Sequence, residues 1–365
     1  MKVLHIYKTY YPDSIGGVER SIKNIINGTR AYGLHSNVLS TYKKKASRYI
    51  SFRQNFEISS MPVSLSLIFN FKKIIKEFDI LHYHYPWPFM DFLHLLLNIK
   101  KPSLITYHSD IVRQKRLKIL YNPLRTLFFS KVNKIVCSSK NYLNSSKDLQ
   151  KFKNKTTVIP FGIKKSDYFI EKKKLKIFKT KYGSNFVIFI GVLRYYKGLN
   201  YLIDAIAQTN HKLLIVGNGK IYDEIQTYIK KKSNNIKILR NISDSQLPYL
   251  IKLSKCLVLP SHLRSEAFGF SLLEGLMFGK PLISCDIKTG TSFININNLT
   301  GYVVKPKSSI KIKNALNKIF TNCSERNKFE KNSIRRFNQY FTQKKMAKSY
   351  VKLYRSILNK SDRSY

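Results

Sequence analysis

Short unbroken apolar runs alternate along this chain with stretches in which apolar residues return every three or four positions. The runs fall at 3–7, 36–41, 79–84, 104–107, 133–138, 156–163, 185–193, 212–216, 236–239 and 251–259. A run of that length bounded by turn residues reads as a strand buried on both faces of a parallel sheet. Helical spacing appears in Val18, Ile22, Ile25 and Ile26, and in Leu65, Ile68, Phe69, Ile75 and Phe78. It returns in Leu199, Leu202, Ile203 and Ile206, then in Leu272, Leu273, Leu276 and Met277, and finally in Met346, Tyr350, Leu353, Tyr354 and Ile357. Further helices are expected at 91–99, 309–320 and 324–341, a polar, basic loop at 43–60 (with a short strand near 56–59), and a rigid aromatic loop at 85–90. Strand, loop, helix, strand is the repeating unit of an α/β fold, here Rossmann-like. At 365 residues the chain is long for one core, so two such domains are expected, joined by a charged linker with a short basic helix at 164–184.

Composition narrows the function. No stretch of about 18 uncharged apolar residues exists, so no membrane-spanning helix is expected. Met1 leads directly into a strand, so no secretory signal is expected, and Cys137, Cys256, Cys285 and Cys323 are scattered as reduced cytoplasmic thiols would be. The charge is the unusual quantity: 66 Lys+Arg against 20 Asp+Glu, a formal +46. Nucleic acid, anionic lipid or a phosphorylated substrate would each answer to it. So would compositional bias, since lysine fills tolerant surface positions in a chain this rich in Asn, Ile, Tyr and Phe. No nucleic-acid motif is present and the basic residues are spread over every element, so no nucleic-acid partner is expected. One segment, 111–147, has nine basic residues, no acidic one and interleaved Leu117, Ile119, Leu120, Tyr121, Leu124, Leu127, Phe128 and Phe129. It reads either as a membrane-facing surface or as helices with solvated lysines over a core stripe.

Candidate chemistry is densest in LPSHLRSEAFGFSLLEGLMFGKP, from Leu259 to Pro281. A strand end, a loop and a helix follow one another, and Gly279 and Pro281 stop the helix. Glu266 and Glu274 lie eight residues apart, with Phe268, Gly269 and Phe270 between them. A helix N-terminus offers free amides to a phosphate, while carboxylates accept hydrogen bonds from sugar and ribose hydroxyls. Two glutamates at this spacing are also common as solvated surface charges. Gly16 and Gly17 open a helix after the first strand, as a ligand loop or a tight turn; there is no Gly-x-Gly-x-x-Gly. His108 ends the strand at 104–107, where ligands bind in open α/β sheets, whereas His82 and His84 read as supporting or acceptor-side groups. Arg194 and Lys197 follow a strand as either capping charge or diphosphate ligands, and Ser243 is placed to cap the helix beginning near Gln246. No Asp-x-Asp occurs anywhere to hold a catalytic divalent metal.

These motifs, in this order, resemble the retaining GT-B glycosyltransferases of family 4, whose signature is Glu, seven residues, Glu and then Gly-Lys-Pro. The likeness extends through SCDIKTGTSFIN (284–295) and the phrase from Thr300 to Val304. It also takes in the interdomain phrase TTVIPFGI at 156–163, where Phe161 and Lys164 replace the family's Asn and Asp. The Thr-Gly-Thr-Ser wording is similar to the branch of O-antigen mannosyl- and rhamnosyltransferases. The resemblance covers nearly the whole chain. It implies two Rossmann-like domains facing a central cleft: 1–165 for the acceptor, with a C-terminal helix at about 342–360 packing back on it, and 166–341 for the nucleotide-sugar donor. It implies His108 and Glu266 at the transferred sugar. Gly16, Gly17, Arg194, Lys197 and the amides of Phe268, Gly269 and Phe270 are implied at the diphosphate. Glu274 is implied at the ribose and Ile242 near the base. Neither a metal nor a cofactor is implied. The expected activity is retaining hexosyl transfer, of mannose or a deoxymannose from a GDP-sugar, onto a lipid-linked oligosaccharide. The expected location is the inner face of the cytoplasmic membrane, peripherally bound through 111–147. Alternatives are a UDP-glucose, galactose or GlcNAc donor with another acceptor, an epimerase of the same fold, and a basic nucleic-acid binder.

Overall fold

The computed structural model describes residues 1–14, 16–42, 49–112 and 115–361. Ile15, the first part of the expected loop (43–48) and residues 113–114 of the basic segment lie outside these. Two compact units emerge, Met1–Gly162 with Gln343–Tyr365, and Ile163–Thr342.

The first unit holds β1 (Lys2–Ile6), β2 (His35–Tyr42), β3 (Ile50–Arg53), a hairpin of β4 (Phe56–Ile58) and β5 (Met61–Val63), then β6 (Ile80–Tyr85), β7 (Ser103–Tyr107), β8 (Lys134–Cys137) and β9 (Thr156–Val158). Apart from the hairpin, all are parallel in one sheet of order β3-β2-β1-β6-β7-β8-β9. The second unit holds β10 (Val187–Ile190), β11 (Leu213–Val216), β12 (Ile236–Leu239), β13 (Cys256–Leu259), β14 (Leu282–Cys285) and β15 (Gly301–Val304). These form a six-stranded parallel sheet of order β12-β11-β10-β13-β14-β15. In both sheets the order runs outward from the first strand in one direction and then reverses, the Rossmann pattern. Both are mixed α/β, as the alternation predicts. Strands β6, β7, β10, β11, β13 and β14 are buried at every position, as expected inside a parallel sheet covered on both faces.

Where the elements differ from the sequence reading, local chemistry explains it. The run at 251–259 is divided: Leu247–Leu253 is a helix with proline in its first turn, and only Cys256–Leu259 is strand. The helix expected at 91–99 begins earlier, at Pro88, because proline suits the first helical turn. The strand expected at 156–163 ends at Val158, ahead of Pro160, and Ile163 forms only an isolated bridge with Thr342. The loop expectation missed β3, a half-buried edge strand whose Ser-Phe-Arg wording carries no apolar run. Ser243 does not cap the following helix; its amide donates to Gln246 Oε1 at 3.0 Å instead.

The last helix, Gln343–Ser361, lies in the first unit and buries Met346, Tyr350, Leu353, Tyr354 and Ile357. Its tyrosines reach the polar groups of β6 and β7 directly: Tyr354 OH meets His82 Nδ1 at 2.7 Å, and Tyr350 OH meets Thr106 Oγ1 at 3.0 Å.

Candidate active site

In the second unit the candidate residues gather beyond the carboxyl ends of β10 and β13, neighbours at the point where the strand order reverses. Open α/β sheets bind their ligands at that point, since the connections leave it on opposite faces and open a crevice. After β10, a single turn at Tyr195–Lys197 carries Arg194 and Lys197. The Tyr196 carbonyl accepts from the His262 amide at 3.0 Å, which docks this turn on the loop after β13. Lys197 Nζ thereby reaches Glu266 Oε2 at 2.5 Å, and Ser261 Oγ donates to the same oxygen at 2.9 Å. Lys197 and Glu266 are both buried, Arg194 exposed. Burial pushes the Lys197 ammonium down in pKa, but the Glu266 charge, with Tyr196, outweighs it and the net shift is upward. A lysine this deep stays charged because its partner is there.

The Glu266 loop is clamped from the Thr-Gly-Thr-Ser phrase. Thr289 Oγ1 donates to the Glu266 carbonyl at 2.8 Å, and the Gly290 amide to the Ala267 carbonyl at 2.8 Å. A Cβ at Gly290 would stand 2.7 Å from the Phe268 ring and 2.8 Å from the Ala267 carbonyl, so only glycine fits there. Gly269 takes φ +93, which turns the chain into the Phe270–Met277 helix. The amides of Phe268, Gly269 and Phe270 thus lie at a helix start, with the rings of Phe268 and Phe270 edge-to-face at 5.8 Å. Glu274 is fully buried in that helix, and its Oε1 accepts from Tyr168 OH at 3.0 Å. Ile242, half-buried, lies in the loop after β12.

In the first unit the corresponding reversal lies between β1 and β6. Gly16 is the N-cap of the Gly17–Arg30 helix that follows β1. Glu19, in its first turn, is buried and accepts from Thr9 Oγ1 at 2.9 Å. His108 follows β7 directly, its ring stacked on Phe161 at 5.4 Å and 13°. It belongs to a buried histidine cluster. His84 Nδ1 meets His108 Nε2 at 2.9 Å, and His84 Nε2 meets His5 Nδ1 at 3.0 Å. His82 turns away from this line, bonding Tyr354 OH and, at 2.7 Å, Thr106 Oγ1. Burial lowers all four: His5 and His108 to about 3, His82 and His84 well below the usual imidazole range. His5, His82 and His84 each bring a ring nitrogen within 4.8 Å of the others, a spacing open to a metal. Both nitrogens of His82, however, are already engaged by hydroxyls.

Sequence reading missed His5, Ser261, Thr289 and Tyr168. A histidine inside the apolar run of β1 was the visible signal for His5, and the Thr-Gly-Thr-Ser wording for Thr289. Ser261 lies inside the stretch already singled out. Nothing local marks Tyr168, whose partner is 106 residues away.

The profile of Glycosyltransferase Family 4 matches residues 15–166, and that of Glycosyl transferases group 1 matches residues 170–336. The chain is 41% identical over 367 residues to O-antigen chain mannosyltransferase C of Escherichia coli, covering 98% of this chain and 99% of that one. The chain belongs to glycosyltransferase family 4. To D-rhamnosyltransferase WbpZ of Pseudomonas aeruginosa, this glycosyltransferase is 38% identical over 94% of its own length and 92% of the relative's. Among solved structures, HepE of Anabaena in complex with UDP superposes with a TM-score of 0.79 at 16% identity, covering 98% of this chain and all of that one. That likeness is one of fold, and the fold is GT-B.

Proposed function

We propose that this glycosyltransferase moves mannose or a deoxymannose from a GDP-sugar to a lipid-linked oligosaccharide in O-antigen synthesis, with retention and without a metal. The observation that carries the site assignment is the Lys197–Glu266 pair at the strand-order reversal of the second unit. Its two members suit the two halves of a nucleotide sugar. The ammonium suits the diphosphate, and the carboxylate, steadied by Ser261, suits the sugar hydroxyls. Donor binding draws Lys197 and Arg194 to the phosphates, where they stabilise the departing nucleoside diphosphate. The amides of Phe268, Gly269 and Phe270 bind the same group at their helix start. Glu274, held by Tyr168, takes the ribose, and Ile242 neighbours the base. His108, with Gly16 and Gly17 close to the strand ends of the first unit, faces the transferred hexose and the acceptor. Support for the sugar and the pathway comes from the mannosyl- and rhamnosyltransferase relatives.

For the acceptor side, the Lys115–Lys131 helix supplies a membrane-facing surface. Phe128 and Phe129 enter the core, but Ile119 and Leu120 are 68% and 79% exposed, with Leu117 and Leu127 also outside. Apolar tips among lysines are what an anionic leaflet binds. No described helix is long and apolar enough to cross a membrane.

A panel of GDP-, UDP-, ADP- and dTDP-sugars in thermal shift tests the donor. GDP-mannose or GDP-rhamnose is expected to raise Tm by several degrees at saturating concentration, and a rise confined to UDP-sugars would replace the assignment. Ile119→Glu with Leu120→Glu is expected to release the protein from anionic vesicles; unchanged vesicle binding would remove the membrane surface.

A further inference from the structure

We propose that His84 and His5 are positioning residues that hold His108 as its Nδ1–H tautomer, a neutral hydrogen-bond donor to the bound sugar. The inference rests on the placement of His108 at the donor sugar given above.

The three rings form one hydrogen-bonded line drawn from β1, β6 and the residue that follows β7, three adjacent strands. Each neutral imidazole has one N–H and one lone pair. With a single proton in each of the two bonds, only two arrangements satisfy the line. Either all three rings carry their proton on Nδ1, or all three carry it on Nε2. The second arrangement places an N–H on His5 Nε2, which is buried and meets no hydrogen-bond partner among the described residues. Orphaned buried N–H groups are the rarer fault. The first arrangement leaves only a bare lone pair there, and it is the one the surroundings select. His5 Nδ1 then donates to His84 Nε2, and His84 Nδ1 donates to His108 Nε2. The proton of His108 remains on Nδ1, the nitrogen His84 does not engage. Burial keeps the terminal rings neutral at physiological pH, so the count of one proton per ring holds. Stacking on Phe161 fixes the plane in which Nδ1–H points. The tautomer of one residue is therefore set by the environment of another two strands away, as the free nitrogen of an imidazole follows the bond its other nitrogen makes.

The test uses the full chain labelled with 15N-histidine, with resonances assigned from single-histidine variants. Long-range 15N–1H correlation is expected to show a protonated Nδ1 and a bare Nε2 at His108, and the same at His84 and His5. A protonated Nε2 at His108 in the wild-type protein overturns the proposal, whatever any variant does. His84→Leu is expected to lower kcat by about tenfold or more, with donor KM changed less than about twofold, and to mix the tautomers of His108. His84→Asn keeps an amide donor near the Nδ1 position and is expected to restore most of kcat. An unchanged His108 tautomer in His84→Leu overturns the proposal. Normal turnover in His108→Ala would instead remove the catalytic placement of His108, and the wild-type spectrum would still decide the tautomer.

Discussion

Two clusters occupy equivalent places in two similar sheets and solve burial in opposite ways. In the first unit, His5, His82, His84 and His108 lose their charge to desolvation; as neutral groups His5, His84 and His108 bond one another, and His82 bonds Tyr354 and Thr106. In the second, Lys197 keeps its charge beside Glu266 at 2.5 Å. Neutral rings hydrogen-bond hydroxyls without needing a counter-charge. A buried ion pair holds an ammonium ready for an anionic group and a carboxylate ready to accept hydrogen bonds from hydroxyls. The same kind of sheet thus carries a neutral cluster in one unit and a charged pair in the other, and the difference lies in the side chains.

Acid should separate the two most strongly. The buried histidines take up protons in the unfolded chain near pH 6.5 but in the folded one only far lower. Their contribution is intact above about pH 6.5 and is lost as pH falls, by up to about tenfold in the folding constant per histidine per pH unit. Hydrogen exchange between pH 7 and pH 5 is expected to show β1, β6 and β7 losing protection well before β10 and β13. Simultaneous loss in both units would break the contrast.

Next in size is the charged pair. Glu266→Gln keeps the Ser261 contact but removes the negative charge, and is expected to reduce transfer by roughly 10²–10³-fold. Lys197→Met leaves Glu266 buried and unpaired by lysine, at a cost of about 3 kcal/mol in denaturant unfolding. Adding Glu266→Gln to it should recover much of that stability without recovering activity. Wild-type turnover in Glu266→Gln would refute the sugar-binding role.

Asp91 sharpens the contrast from within the first unit. Burial raises its carboxyl to about 8, against the opposing hydrogen bond from Tyr121 and the charge of Arg125. Because the folded protein keeps this proton while the unfolded chain releases it near pH 4, stability falls as pH rises from about 4 to 8. Asp91→Asn is expected to flatten that slope and, at pH 8, to raise Tm by a few degrees. The smallest effect belongs to Tyr168→Phe. Losing one hydrogen bond to Glu274 should weaken donor binding about threefold to tenfold, or about 1 kcal/mol, by calorimetry. An equal loss of kcat without weaker binding would move Glu274 off the ribose.

Much of this was legible in the residues themselves. Alternating apolar runs and helical spacings specify parallel α/β sheets, because a strand buried on both faces has no polar positions to alternate. The wording from Glu266 to Pro281 and the Thr-Gly-Thr-Ser phrase carried the family. Boundaries failed where a run served two elements, as at 251–259, since an apolar residue does not say whether it packs from a helix or a strand. Contacts were beyond reach for a different reason. Periodicity tells which face of an element is buried, not what meets it. Lys197 finds Glu266 across 69 residues, His5 finds His84 across 79, and Tyr354 finds His82 across 272. Only strand order, register and the packing of the last helix bring those side chains together. The sequence by itself therefore determined the architecture and the kinds of groups the site contains. The tertiary structure decided which of them stay charged, which are neutral and which nitrogen faces which, because each depends on the burial and partners that folding supplies.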